Sequence, residues 1–219
     1  MSEPPGETAT LESALKRHAI AVDAPQRAQL DRYARLLWEW NGRLNLTRHT
    51  DYEKFVARDV RDSLELARLI EPGERVLDVG TGGGVPGVVL AILRSDVDVT
   101  LCDSVAKRAK AAGEIVTAMD LPLTVYHAPV QDLLVEHSYT TLVARAVAPL
   151  RKLLTWLRPL WPHAGRLLVV KGPKWIEERG EARHHGLLKR LELRKVAAYP
   201  LSGTDSESVI LEIRPIAKK

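Results

Sequence analysis

The 219-residue chain is expected to fold as an α/β protein on a mostly parallel, seven-stranded sheet with an antiparallel last strand, preceded by a helical cap. Three observations carry this expectation. The short apolar strand at 75–79 breaks into the run Gly80-Thr81-Gly82-Gly83-Gly84-Val85-Pro86-Gly87, and an apolar helix follows at once. Strand, glycine turn and helix form the first unit of a nucleotide-binding sheet, where a Cβ would block close approach of the backbone to a ligand. From there on, apolar strands alternate with amphipathic segments, which implies βα units and parallel pairing. Finally, the last two apolar runs are separated by Pro200 and the turn Ser202-Gly203-Thr204-Asp205, a hairpin-like ending.

The elements follow in order. Residues 1–9 are polar and expected to be disordered, 10–70 to form the helical cap, and 71–219 to form the sheet domain. In the cap, Leu30, Tyr33, Ala34, Leu37, Asn41 and Leu44 recur at helical spacing after the start signals Asp23 and Pro25. Asn45-Leu46-Thr47 breaks that helix. A second runs from about Asp51 to Leu69, with Phe55, Val60, Leu64 and Ala67 on one face. Strands are predicted near 75–79, 98–102, 123–127, 140–145, 166–171, 196–199 and 208–213. Helices are predicted near 86–94, 104–119, 150–160 and 175–190. There are no internal repeats.

Composition narrows the class. No apolar run has membrane-spanning length and the N-terminus does not read as a signal peptide, so a cytoplasmic protein with no membrane partner is expected. The single cysteine, Cys102, falls in a predicted buried strand, which excludes a disulfide scaffold. Charge is uneven: residues 1–144 hold 16 Lys and Arg against 21 Asp and Glu, whereas 145–219 hold 16 against 7. A one-ended basic field suits a polyanion, most simply nucleic acid. The pair His184-His185 has no third ligand at a metal spacing, so no metal is expected.

The glycine turn fits two templates. Gly82-x-Gly84-x-x-Gly87 matches the dinucleotide pattern formally, but the polar break comes earlier, as Asp78-x-Gly80-x-Gly82-x-Gly84. The acid-first arrangement resembles the first motif of class I S-adenosylmethionine-dependent methyltransferases, Rossmann-like proteins. A sulfonium ligand with an ammonium head group favours a nearby carboxylate, and a pyrophosphate does not. Asp103 ends the next strand, where an acid can accept both ribose hydroxyls, and Ser104 follows it. Val130-Gln131-Asp132 lies where methyltransferases hold the adenine. The cofactor residues expected on this reading are Asp78, Gly80, Thr81, Gly82, Gly83, Gly84, Pro86, Gly87, Asp103, Ser104, Val130, Gln131 and Arg145.

Further motifs stand in a fixed order: Asn45-Leu46-Thr47, Arg58-x-x-x-Asp62-Ser63-Leu64, Val85-Pro86-Gly87, Asp103-Ser104-x-x-Lys107-Arg108, Arg145-Ala146, and Lys171-Gly172 with Glu177 or Glu178 behind it. Together they resemble the glucose-inhibited division protein B family, the bacterial small-subunit ribosomal RNA guanine-N7 methyltransferases, over about residues 30–214. The resemblance implies S-adenosyl-L-methionine as cofactor, 16S ribosomal RNA or the small ribosomal subunit as partner, and a guanine of the 530 loop as target. A monomer is favoured. The sequence departs from the family at Asp59, where most members carry His, and at Ala109-Lys110-Ala111-Ala112, where Phe-Leu is usual. A methyltransferase for another RNA or for a small molecule, and a catalytically silent RNA-binding module, remain as alternatives.

The chemistry agrees with the motifs that are missing. Guanine N7 carries an in-plane lone pair and needs no strong base, so catalysis rests on positioning and desolvation. Ala144-Arg145-Ala146-Val147 stands where amino methylation would show Asn/Asp-Pro-Pro-aromatic, and Cys102 is on the wrong strand for pyrimidine-C5 chemistry. Arg145 is the expected catalytic residue, orienting either the methionine carboxylate or the guanine; the competing reading is an ion pair to Asp62 or Glu177. Arg58, Asp62, Lys107, Arg108, Lys171 and Lys174 are expected to contact the RNA, with Arg58 and Asp62 alternatively an i,i+4 pair. Trp175 is the best candidate for stacking on a base.

Overall fold

The computed structural model describes residues 10–201 and 205–216. The expected N-terminal tail and residues 202–204 of the expected last turn lie outside them. Helix α1, Leu11–Arg17, starts with a reciprocal capping box between Thr10 and Ser13; at seven residues it is too short to show a period in the sequence. Helix α2, Ala24–Leu44, begins where expected: Asp23 accepts from the Gln26 amide, and Gln26 returns the bond to the Asp23 amide. It ends at Asn45, whose φ of +23° turns the chain out of the helix.

The next helix is not uniform. A short α3, Tyr52–Lys54, passes through a π-helical stretch, Phe55–Val60, into α4, Arg61–Ala67. The Arg61 amide reaches back five residues to the Val56 carbonyl. The wider turn lets Phe55, Val56, Asp59, Val60, Asp62 and Ser63 all point inward. Such π turns cluster at functional sites.

Seven strands form one sheet: β1 Arg75–Val79, β2 Asp98–Asp103, β3 Thr124–His127, β4 Tyr139–Arg145, β5 Ala164–Lys171, β6 Leu191–Pro200 and β7 Glu207–Pro215. Their order is β3-β2-β1-β4-β5-β7-β6. Strands β1 to β5 are parallel, and β7 runs antiparallel to both β5 and β6. The five parallel strands therefore deliver Val79, Asp103, His127, Arg145 and Lys171 to one edge. The crossover helices are α5 Gly87–Leu93, α6 Ala106–Ala118, α7 Val130–Glu136, α8 Leu150–Leu157 and α9 Trp175–His184.

Three helices differ from expectation for local reasons. Helix α7 has only seven residues, and no helix is predicted there. Helix α8 stops at Leu157; Arg158 still has helical dihedrals, but Pro159 has no amide hydrogen to continue the ladder. Helix α9 stops at His184, not 190. There Gly186 takes a φ of +69°, and the Gly186 and Leu187 amides return to the Arg183 and Ala182 carbonyls. That is a Schellman stop.

Alternation along the strands splits the core in two. Leu77, Val79, Leu142, Ala144, Leu167 and Val169 pack under α7, α8 and α9. Val76, Val143, Leu168 and Val170 face the other side, with Leu66 of α4 and Leu90 of α5. The N-terminal helices join that side: Leu30, Tyr33, Leu37 and Phe55 share a cluster with Val85, Val88, Val89 and Ile115. Among the described residues, no helix is long and apolar enough to cross a membrane.

Candidate active site

The five glycines of the β1–α5 turn serve different ends. A Cβ on Gly80 would lie 2.9 Å from the Val147 methyls, on Gly83 2.5 Å from Leu37, on Gly84 2.7 Å from Val88, and on Gly87 2.8 Å from Asp78 Oδ2. Those four allow the protein to pack on itself. Gly82, at a φ of +59°, faces open space. The N-terminal helices brace the turn from behind, since the buried Tyr33 hydroxyl donates to the Gly83 carbonyl at 3.1 Å.

Asp78 lies beneath the turn and is fully buried. Its Oδ2 accepts from Thr81 Oγ1 at 2.6 Å and from the Gly87 amide at 2.9 Å, stitching β1 to the start of α5. Oδ1 has no partner. Burial pushes this carboxyl up to about 6, against the opposing pull of the Thr81 and Gly87 hydrogen bonds. Thr81, Pro86 and Gly87 are buried with it.

Asp103, at the end of β2, reaches across to the open glycine. Its Oδ2 accepts from the Gly82 amide at 2.9 Å and its Oδ1 from the Val105 amide at 2.8 Å. An ionised carboxylate has about four acceptor positions, so two remain for hydroxyl donors. Ser104 is exposed beside it. Val130 and Gln131 open α7 just after β3, the strand next to β2; Val130 is buried and Gln131 half-buried. Cys102 is buried, which pushes its thiol up to about 12.

Beyond β4 lies a cavity of 1010 Å³, lined by the Asn45–His49 segment, Arg58, Asp62, the Arg145–Pro149 segment, Lys171 and Glu178 among others. Ala146 has a φ of +54°, rare for a residue with a side chain, and turns the chain so that Val147 covers Gly80. Arg145 donates to Asp59 at 2.6 Å and to Asp62 at 3.1 Å. Both carboxylates are buried. Burial opposes the charge on Arg145, but Asp59 and Asp62 outweigh it and hold the guanidinium protonated well above its usual range. Tyr199 donates to Asp62 at 2.7 Å, and burial together with that neighbour raises its phenol. Asp59 also meets His49 Nδ1 at 2.8 Å, while its Oδ2 and Arg58 Nε stay buried without partners.

Several predicted residues thus meet here, in arrangements the sequence did not specify. Arg145 takes Asp62 as its partner together with Asp59, and not Glu177. Arg58 and Asp62 make no i,i+4 pair, because the π turn and the pull of Arg145 separate them. Lys171 donates to the Ala148 carbonyl at 2.8 Å and to Glu178 at 2.7 Å, and Glu178 also accepts from the Leu150 amide. Its ammonium thereby ties β5, α9 and the turn after β4 together. Lys107, Arg108 and Lys174 are exposed on the surface. Trp175 packs on the core with Arg179 5.2 Å from its ring centre, so that ring already carries a cation. Among the described residues, no group of three His, Cys, Asp or Glu could hold a metal.

In the sequence, Asp59 stands out only as a departure from the family, and Glu178 only as one of two acids behind Lys171-Gly172; His49 and Tyr199 are not singled out. One signal was available for Asp59. Asp59 and Asp62 sit three apart on the apolar face of a helix, which is unfavourable unless a cation lies between them.

Comparison with known proteins gives the frame for this geometry. The profile of the family described as rRNA small subunit methyltransferase G matches residues 26–202. The chain belongs to the rRNA small subunit methyltransferase G family. A ribosomal RNA small subunit methyltransferase G from Rhodopirellula baltica is 53% identical over 199 residues, covering 91% of this chain and 86% of the relative. One from Pseudomonas aeruginosa is 37% identical over 160 residues, covering 73% and 75%. Among solved structures, M. capricolum TrmK with S-adenosyl-homocysteine matches at a TM-score of 0.55 and 14% identity, covering 70% of this chain and 67% of that one. The 23S rRNA methyltransferase ErmE matches at 0.52 and 18%, covering 74% and 70%. At such identities the likeness is one of fold. The methyltransferase G family member described here has the mixed seven-stranded sheet of S-adenosylmethionine-dependent methyltransferases, with helices added at its N-terminus.

Proposed function

We propose that the protein transfers a methyl group from S-adenosylmethionine to N7 of a guanine in 16S ribosomal RNA, in the 530 loop, and acts in the cytoplasm on the RNA or the small subunit. The observation that carries the reading is the open face of Gly82, bonded to Asp103, on the same sheet edge as the cavity around Arg145. The residues present fit the cofactor: space over the glycine, an acid with acceptor positions to spare, and Val130 and Gln131 one strand further along. When bound, S-adenosylmethionine supplies a methyl group activated by its sulfonium, which the lone pair of guanine N7 can take without first losing a proton.

The chain's residues then act mainly by holding. Asp103 accepts the ribose hydroxyls, and Val130 with Gln131 flanks the adenine. Arg145 is fixed from behind by Asp59 and Asp62, so its remaining N–H groups are oriented without further loss of freedom. They face either the methionine carboxylate or the guanine. Asp62 is a positioning residue, locked in turn by Tyr199. Lys171 and Glu178 fix part of the wall that the Asn45–His49 segment also lines, and Arg58 brings a cation to the cavity. Lys107, Arg108 and Lys174 lie outside, where phosphates of a folded RNA would pass.

Asp103→Ala tests the assignment. Two lost hydrogen bonds to a carboxylate should weaken S-adenosylmethionine binding by about a hundredfold in calorimetry, with RNA affinity unchanged. Unaltered cofactor affinity would remove Asp103 from the site. A wild-type protein that binds RNA and no cofactor would be a silent RNA-binding module.

A further inference from the structure

The Asn45–His49 segment holds one imidazole against the cavity, and the mechanism above makes no use of it. Its backbone is fixed at several points. The Thr47 amide donates to Asn41 Oδ1 at 2.8 Å, the His49 amide to Thr47 Oγ1 at 3.0 Å, and Trp38 Nε1 to the His49 carbonyl at 2.7 Å. The ring is fixed too, with Nδ1 2.8 Å from Asp59 Oδ1, the oxygen that also accepts from Arg145. An ionised carboxylate only accepts, so the ring hydrogen sits on Nδ1. That leaves Nε2 without a partner among the described residues, on a side chain 24% exposed that lines the cavity.

The charges around the ring are Asp51, Asp59, Asp62, Arg145 and Arg58, and the Lys171–Glu178 pair lines the same cavity. With Asp51 counted, three carboxylates stand against two guanidiniums around the ring. The substrate sets the other half of the match. The guanine edge that bears N7 presents only acceptors, N7 and O6. N7 must stay free for the methyl group, so O6 is the atom left to recognise. With its first hydrogen on Nδ1, the neutral ring offers only a lone pair at Nε2, whereas the protonated ring offers an N–H.

Resting on the functional reading above, we propose that His49, oriented by Asp59, donates from Nε2 to O6 of the target guanine and so selects guanine over adenine. Adenine presents an amino group at that position, donor against donor. Asp59 is then a positioning residue that acts through His49 as well as through Arg145.

The test pairs residue with base. Single-turnover methyl transfer is measured on RNA carrying either guanosine or 2-aminopurine riboside at the target, the latter keeping N7 and lacking O6. Wild type should lose about 10- to 100-fold on the O6-less RNA, the range for a hydrogen bond to a charged group. His49→Ala should lose a similar factor on guanosine RNA and nothing further on 2-aminopurine RNA. His49→Gln, whose side-chain amide is a donor, should keep most of the rate on guanosine RNA and show the wild-type loss on 2-aminopurine RNA. Equal losses for His49→Ala on both RNAs would make its role structural and overturn the proposal. Wild type inactive on guanosine RNA would overturn the functional reading itself, and this inference with it.

Discussion

Arg145 and Arg166 leave neighbouring strands at opposite edges of the sheet, and each meets two carboxylates. Arg166, near the start of β5, donates to Thr141 at 2.8 Å, Glu212 at 3.2 Å, and both Glu74 and the Leu69 carbonyl at 2.7 Å. Thr141 in turn donates to Glu74. Every polar group there has a partner. Arg145, at the end of β4, donates to Asp59 and Asp62, and beside it Asp59 Oδ2 and Arg58 Nε are buried and unpaired. The third such atom among the described residues, Asp78 Oδ1, belongs to the glycine turn on the same side of the sheet. A closed network fastens the fold. An open one, at the edge where the parallel strands end, has bonds left to give to a ligand.

Removing each arginine should separate the two roles. Arg145→Met leaves two buried carboxylates uncompensated, so a stability loss of about 3–5 kcal/mol is expected. Methyl transfer per folded molecule should fall by at least about a hundredfold, the scale for losing a charge-oriented donor. Arg166→Met strips partners that are partly exposed and should cost about 1–3 kcal/mol, with activity per folded molecule within twofold of wild type. Urea unfolding and a single-turnover assay on the same samples read both quantities. Equal loss of activity in the two variants would erase the distinction.

The glycine turn sharpens the comparison at smaller amplitude. Gly83→Ala must push Leu37 aside and should cost about 1–3 kcal/mol as an overpacked core does, while cofactor affinity is kept. Gly82→Ala meets no atom, so only the left-handed backbone penalty of about 1 kcal/mol applies to stability. Its methyl group occupies the ligand's space, so cofactor affinity in calorimetry should fall by more than tenfold. The reverse ranking would move the cofactor away from Gly82.

These contrasts also mark what the sequence could carry. Strands β1 to β5 were legible because apolar, β-branched runs recur between turn signals, and α2 because its cap and period agree. The edge at which Asp103, Arg145 and Lys171 gather follows from parallel order alone. Of the two partners of Arg145, Asp62 was one of the pair the sequence offered, and Asp59 was not legible as one. Asp59 reads as a departure from the family, and its place depends on a π turn that no periodicity announces. Tyr199 is 137 residues from Asp62 in the chain, a pairing set by the position of β6 at the sheet's far edge. Gly82 looked like its neighbours, since a glycine needed for packing and one needed for a ligand are the same letter.

One further effect, read only by varying pH, is expected from Asp78. Burial raises its carboxyl to about 6 from an unfolded value of 3.8. Between those values the folded state holds the extra proton, so the contribution of Asp78 to stability is full below about pH 4 and is lost as pH rises through 6. The full span is on the order of 3 kcal/mol. Asp78→Asn keeps an oxygen for Thr81 and Gly87 and has no charge to bury. The difference in urea stability between wild type and variant should therefore shift against wild type from pH 4.5 to 7.5. A constant difference would mean that Asp78 is ionised without penalty.

The most direct measurement is transfer of labelled methyl from S-adenosylmethionine to small-subunit RNA from cells lacking this gene, with the modified base mapped by chain cleavage at 7-methylguanine. Label at N7 of one guanine in the 530 loop is the predicted result. Label on another atom or another RNA, or none on either naked RNA or whole subunits despite cofactor binding, would contradict the account.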